Sequence, residues 1–225
     1  MNAKDAEREV LARIRGASKR SSAEQIRAEL SRLPRPRAAA PPQSDLLEVF
    51  IANLQRNGCS TALVENRAQA VAEISRFISA RHGQRRIVTG HDPRLAALPW
   101  RDGGLLPRFD TAQPGDAVGV SYARVGIAET GSIAQFVDRN NPASNNLLVE
   151  DHLVLVDRRD IRPRLEDLWD DPLFADPQQR PRGLMMISGP SSTADIAMKL
   201  VLGAHGPRTL HVIVIGAKDR ETQDR

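Results

Sequence analysis

Residues 44–89 read SDLLEVFIANLQRNGCSTALVENRAQAVAEISRFISARHGQRRIVT, and this stretch decides the fold class. Leu46, Leu47, Phe50, Ile51 and Leu54 share one helical face, with Ser44 as the expected N-cap and Gly58 as the stop. Thr61 to Val64 reads as a short strand. Ala68 to Ala80 reads as a helix with Val71, Ile74, Phe77 and Ile78 inward, and Arg86 to Thr89 as a second strand. Two such units in succession predict a parallel sheet flanked by helices.

Toward the C-terminus the alternation continues. Asp92 to Leu98 reads as a short helix, Leu105 to Pro107 as a minimal strand and Asp116 to Val120 as a better one. Ile127 to Glu129 and Ser132 to Val137 flank Thr130-Gly131, a break that suits a tight turn between extended pieces. His152 to Val156 is expected as a strand and Ile161 to Trp169 as a helix. Leu184 to Ile187 is expected as a strand buried on both faces, Ser192 to Leu202 as a helix ending at Gly203, and Leu210 to Ile215 as the last strand. The sum is an α/β fold, an open, mostly parallel sheet of about five to seven strands with helices on both faces.

Toward the N-terminus the signal weakens. Leu11, Ile14, Ile26 and Leu30 give the first 33 residues slight helical character, divided at Gly16 and the polar run through Ser22. Pro34 to Pro42 holds four prolines and three consecutive alanines and reads as an extended linker. The expected organisation is a helical arm and Pro/Ala-rich linker over 1–43 and an α/β domain over 44–225. The arm suits either a segment that packs on a partner or a mobile tail.

Charge follows the same boundary. Residues 1–43 carry ten Lys or Arg against five Asp or Glu, whereas the remainder is almost neutral. A sequence pI near 9.8 therefore reflects an appendage, and a nucleic-acid-binding body is not expected. The single cysteine, Cys59, cannot make an intrachain disulfide or supply the thiolates of an iron–sulfur cluster. No run approaches 18 apolar residues and the first residues lack an apolar signal core, so a cytoplasmic location is expected.

Three motifs carry candidate chemistry. Ser188-Gly189-Pro190-Ser191-Ser192-Thr193-Ala194-Asp195 follows an expected strand and opens an expected helix. Its amides and the hydroxyls of Ser191, Ser192 and Thr193 suit an anion, while Ser192 with Asp195 also suits a capping box. Gly126-Ile127-Ala128-Glu129-Thr130-Gly131-Ser132 sets Glu129 at the rim of the sheet as a candidate base or ligand for a hydroxyl. Gly203-Ala204-His205-Gly206-Pro207-Arg208 surrounds one histidine with glycine and proline. On the expected helix it lies roughly 15 Å from Ser192, so His205 and Arg208 are expected at an interface or a separate loop site. The five histidines lack paired spacing, and no metal site is expected. Asn140, Asn141, Asn145 and Asn146 form a polar loop that suits a cover over a crevice.

Together GPSSTADI (189–196), GAHGPR (203–208), Ile127 to Ser132 and the approach to His152 resemble the lactate-utilisation protein C (LUD domain) family over essentially Ser44 to the end. The resemblance implies a fold related to ribose-5-phosphate isomerase, glucosamine-6-phosphate deaminase and coenzyme A transferases. It also implies a role in a three-component system that oxidises L-lactate to pyruvate, with two iron–sulfur proteins carrying the electrons and this chain as accessory or regulatory subunit. The alternatives are an independent enzyme on a sugar phosphate or acyl-coenzyme A, using Glu129, and a noncatalytic small-molecule-binding homologue. The chain departs from the family pattern with Ser192 in place of arginine, Ala197 in place of glutamate, and Asn146-Leu147-Leu148-Val149 in place of Ser-Leu-Leu-Pro.

Overall fold

The computed structural model describes residues 3–17, 21–33, 45–175, 178, 180–194 and 200–216. The chain divides into two compact units, Met1–Ala38 and Ala39–Arg225. In the first, α1 (Ala3–Ala17) and α2 (Ala23–Arg32) are helical, and α2 starts on a capping box in which Ser22 and Gln25 satisfy each other's backbone amides. Val10, Ile14, Ile26 and Leu30 are exposed, so the arm's weak periodicity matches an absence of buried side chains in α2. The expected Pro34–Pro42 linker lies outside the described residues.

The second unit opens with α3 (Leu46–Arg56). Its N-cap is Asp45, not the expected Ser44: the Asp45 carboxylate accepts from the Leu47 amide at 2.8 Å. Next come β1 (Ser60–Val64), α4 (Arg67–His82), β2 (Arg86–Thr89), the single-turn α5 (Pro93–Ala96), β3 (Leu106–Phe109) and β4 (Val118–Tyr122). The hairpin β5 (Val125–Ile127) and β6 (Ser132–Val137) precedes β7 (Asp151–Asp157), β8 (Ile161–Arg162), β9 (Gly183–Ile187), β10 (Ser192–Ala194), β11 (Leu200–Leu202) and β12 (Thr209–Ile215).

Six strands form a parallel sheet in the order β1-β12-β7-β4-β2-β3. Strand alternation sorts its side chains to two faces. Leu153, Leu155, Ile213 and Ile215 meet Ala70, Val71, Ile74 and Ile78 of α4 on one face. Val154, Val156, Val212 and Val214 meet Leu47, Phe50 and Leu54 of α3 on the other. Burial on both sides is why β7 and β12 read as near-continuous apolar runs.

The face shared with α3 also carries a second sheet, β8-β5-β6-β9, in which β5–β6 and β6–β9 are antiparallel. Two expectations change here. Leu184–Ile187 is not a central strand buried on both faces: it is half-buried in this second sheet, where Ile187 packs on the α3-side core and Leu184 on the small cluster of Val125, Ile127, Phe136 and Leu168, while Met186 is 40% exposed. Ile161–Trp169 is not one helix. Pro163 lacks an amide donor and disfavours helical backbone at Arg162, so the segment splits into β8 and a 3₁₀ turn over Glu166–Asp170.

The largest correction concerns Ser192–Leu202. Both ends of the expected helix are strands, paired antiparallel with Ser192 opposite Leu202, Thr193 opposite Val201 and Ala194 opposite Leu200. Serine hydroxyls compete for backbone groups and the β-branched Thr193 and Val201 favour extended backbone, which outweighs the weak helical spacing. Asp195 and Ala197 lie outside the described residues.

Candidate functional site

The three sequence motifs meet at the end of the parallel sheet where the strands begin. There α3 terminates at Asn57 and Gly58, and two asparagines of its last turn hold the β5–β6 turn. Asn53 Nδ2 donates to the carbonyls of Ala128 and Glu129 at 2.7 and 3.1 Å, and Asn57 Nδ2 donates to those of Thr130 and Gly131 at 2.8 and 3.2 Å. Gly131 has φ +60°, and a Cβ there would run into the backbone of Asn53 and Leu54, so the turn needs glycine on two counts.

The register Ile133–Ile187 brings Ser132 against the end of β9, where its Oγ lies 2.6 Å from Ser188 Oγ. Gly189, at φ +120°, lies against the Asn57 carbonyl with no room for a side chain. Ser191 is then bonded on both sides to the histidine loop: its amide donates to the Pro207 carbonyl and its carbonyl accepts from the Gly203 amide, each at 2.8 Å. The expected separation of His205 from the serine motif is thereby overturned. It presupposed the helix that the β10–β11 pairing replaces.

His205 and Arg208 are exposed and line a cavity of 770 Å³ with Asp116, Leu147, Leu148 and Glu150. The Arg208 guanidinium stands 3.7 Å from Glu150, a loose, solvent-exposed pair that leaves the cation accessible. Gly203 makes the close approach of the Arg208 side chain possible. Ser192 is exposed in β10; Thr193 is placed in the same strand.

Glu129 is positioned differently. It is half-buried, and its Oε1 accepts from the Leu165 amide at 2.7 Å, which ties the β5–β6 turn to the chain entering the 3₁₀ segment. It does not line the His205 cavity.

Sequence reasoning missed two polar arrangements. Between the two sheets, Gln135 Nε2 donates to Ser121 Oγ at 2.6 Å, and Ser121 Oγ lies 2.7 Å from His152 Nε2, with all three residues buried. Burial pushes the His152 imidazole down to about 3, so it stays neutral, and its Nδ1 has no partner. A histidine alternating into an otherwise apolar strand was the available signal.

The second arrangement lies beyond the carboxyl ends of the strands, where a cavity of 500 Å³ is lined by Asp92, Arg94, Tyr122, Arg124, Asp138 and Arg159. Arg94 pairs with Asp92 at 2.8 Å and stacks 4.1 Å over the Tyr122 ring. Arg124 is bonded to Asp171 at 2.6 and 3.0 Å. Burial first, then Asp157, holds the Tyr122 phenol well above its ordinary range. These arginines follow different strands, so no contiguous motif announces them.

Among the described residues no group of three or more His, Cys, Asp or Glu is placed to hold a metal ion. Cys59 is buried and its thiol is pushed up to about 11, so it remains protonated at neutral pH. No helix among the described residues is long and apolar enough to cross a membrane.

Residues 115–215 match the family model described as the LUD domain. The chain is 28% identical over 188 residues to lactate utilization protein C of Macrococcus caseolyticus, covering 78% of this chain and 80% of that protein. A protein of the same name from an Exiguobacterium species is 28% identical over 183 residues, covering 76% and 79%. Uncharacterized protein YkgG of Escherichia coli is 37% identical over 101 residues, 43% of each chain. A crystal structure of a DUF162 family protein from Deinococcus radiodurans shares the fold, with a TM-score of 0.58 and 22% identity over 78% of this chain and 100% of that one.

Proposed function

We propose, from the match of residues 115–215 to the LUD domain and the likeness of most of the chain to lactate utilization protein C, that the chain is an accessory or regulatory subunit of a system oxidising L-lactate to pyruvate. In this reading two iron–sulfur partner proteins carry the electrons. The presence of one cysteine in the whole sequence supports that division of labour, since a cluster needs several thiolates that this chain does not have.

The observation that carries the reading is the joining of the serine motif to the histidine loop, through the two backbone bonds of Ser191, next to the cavity that His205 and Arg208 line. Arg208, loosely paired, and His205 face a space of 770 Å³ beside the Ser191 backbone, a setting suited to the carboxylate of a small hydroxy or keto acid. Ser192 and Thr193 stand in the adjoining strand as further candidate contacts, and Asp195 is carried as a candidate from the sequence alone. The arginines of the opposite cavity suit a ligand less, because Arg94 and Arg124 are already committed to Asp92 and Asp171.

A likeness to the folds of ribose-5-phosphate isomerase and coenzyme A transferases belongs to the same proposal. It supports the second reading, an independent enzyme on a sugar phosphate or acyl-coenzyme A with Glu129 as base. The Leu165 amide on Glu129 favours the accessory reading over that one, since it holds the carboxylate in a turn. A noncatalytic small-molecule-binding homologue would use the same cavity without a lactate phenotype.

The test is L-lactate-dependent dye reduction in extracts of cells lacking this chain. The accessory reading expects reduction to be lost, restored by the parent chain and restored poorly by Arg208→Ala. Undiminished lactate oxidation without the chain overturns it, and turnover of a sugar phosphate by the isolated chain, lost in Glu129→Gln, transfers the function to the second reading.

A further inference from the structure

A second constellation of nucleophile, base and acid lies on the α4 side of the main sheet. Ser60 opens the edge strand β1, and its register partner on β12 is His211. Both side chains project to the face that α4 covers. Ser60 Oγ lies 2.8 Å from His211 Nδ1, and His211 Nε2 lies 3.2 Å from the Oε1 of Glu73, on α4. The approach of Glu73 is too bent to count as a full hydrogen bond, yet it is the carboxylate at that nitrogen. It favours the tautomer with the proton on Nε2, which leaves the Nδ1 lone pair for the Ser60 hydroxyl. Phe77 stacks on the imidazole at 4.7 Å and fixes its plane.

Access separates this arrangement from the Ser121–His152 pair. Ser121 and His152 are each 1% exposed and out of reach of a substrate, whereas Ser60 is exposed while His211 behind it is 4% exposed. A reachable hydroxyl on a buried base that is oriented by a third group is the geometry of an activated nucleophile.

We propose that Ser60, His211 and Glu73 form an acyl-accepting site that takes small carboxylic esters. Ser60 Oγ attacks the ester carbonyl carbon as its proton passes to His211 Nδ1. The bond from that carbon to the alcohol oxygen then breaks, and the departing alkoxide takes the proton from His211. Water then attacks the acyl carbon as its proton passes to His211 Nδ1, the bond from that carbon to Ser60 Oγ breaks, and Oγ takes the proton back as the carboxylic acid leaves. Ser60 and His211 are the catalytic residues, and Glu73 is a positioning residue. Arg76 is held on Glu73 by two hydrogen bonds of 2.5 and 2.8 Å and so helps to fix the carboxylate. Burial keeps His211 neutral, opposed by Glu73 and assisted by Arg76, so the base is ready at neutral pH.

The test uses the full chain with p-nitrophenyl acetate, read by p-nitrophenolate release and by peptide mapping. The expected result is a single acetyl group on Ser60, absent from Ser60→Ala. Glu73→Gln, which keeps the side-chain volume and guards against an unfolded His211 variant, should slow acylation about a hundredfold. It should also move the acid limb of the pH–rate profile to lower pH, because the carboxylate that raises His211's proton affinity is gone. Acetyl groups confined to lysines and the amino terminus overturn the proposal. So does acylation of Ser60 at an unchanged rate and pH profile in a Glu73→Gln chain that melts like the parent. No lactate enters the assay, so its outcome is independent of the accessory-subunit reading.

Discussion

Acid should unfold this protein through His152 before it does so through any carboxylate. His152 is sealed between the two sheets with a folded-state pKa of about 3 against an ordinary 6.5. The unfolded chain therefore binds a proton that the folded chain refuses, and stability rises with pH between those values. It is complete above 6.5 and is lost as pH falls toward 3. Moving from pH 7 to pH 4.5 crosses about two units of that window, worth about 3 kcal/mol at 1.36 kcal/mol per unit. That is a large part of a typical total of about 5–15 kcal/mol. Asp151 and Asp171 act at lower pH: burial opposes their ionisation, but Arg81, His82 and Thr209 around the first, and Arg124 and the Leu173 amide around the second, hold both below the usual range. Their contribution is present above the ordinary carboxylate value and fades below it. His211, lowered by burial, adds to the loss with the same sign.

Urea unfolding followed by far-ultraviolet circular dichroism at a series of pH values measures this loss. His152→Gln can still bond Ser121 but cannot titrate. It should start less stable at pH 7 and then lose about 3 kcal/mol less than the parent by pH 4.5. Parallel stability curves for parent and variant would refute the assignment.

Other outcomes follow from the same geometry. Gly131→Ala should cost about 3 kcal/mol in chemical denaturation, from left-handed backbone plus collision with α3, and a change below about 0.5 kcal/mol would contradict the described turn. His205→Ala should leave the denaturation midpoint within about 0.5 kcal/mol of the parent, since the side chain is exposed, while weakening binding of pyruvate or sulfate in a calorimetric titration. A chain beginning at Ser44 should keep a single cooperative melt, because no arm residue of α2 is buried; a non-cooperative melt would make the arm integral to the core.

The parts of the fold legible in the sequence are those where one physical signal acts alone. Leu47, Phe50 and Leu54, or Val71, Ile74 and Ile78, can satisfy only a helical period, and β7 and β12 are apolar on both faces because both faces are covered. Where two signals compete, the reading fails. Leu184–Ile187 is as apolar as a central strand, and nothing local reveals that a second sheet places one of its faces outward. Ser192–Leu202 has helical spacing with strand-forming chemistry at both ends, and the partner that decides between them lies within the same segment. The strand pairing is what brings the histidine loop against Ser191, a closeness that a helix over the same residues would forbid. The Asn53 and Asn57 clamp was hidden for another reason: its partners are backbone carbonyls more than seventy residues away, which leave no pattern in the chain.

The proposed role in lactate oxidation, through the cavity at Arg208 and His205, can be tested on the whole assembly. The most direct measurement is purification of the tagged full chain from cells grown on L-lactate, with iron content and L-lactate-dependent dye reduction read on the eluate. Iron–sulfur proteins and lactate-oxidising activity should elute with the parent chain, and Arg208→Ala should lower the activity recovered while its melt stays that of the parent. A chain that elutes alone, from cells whose lactate oxidation is unchanged by its deletion, would contradict it.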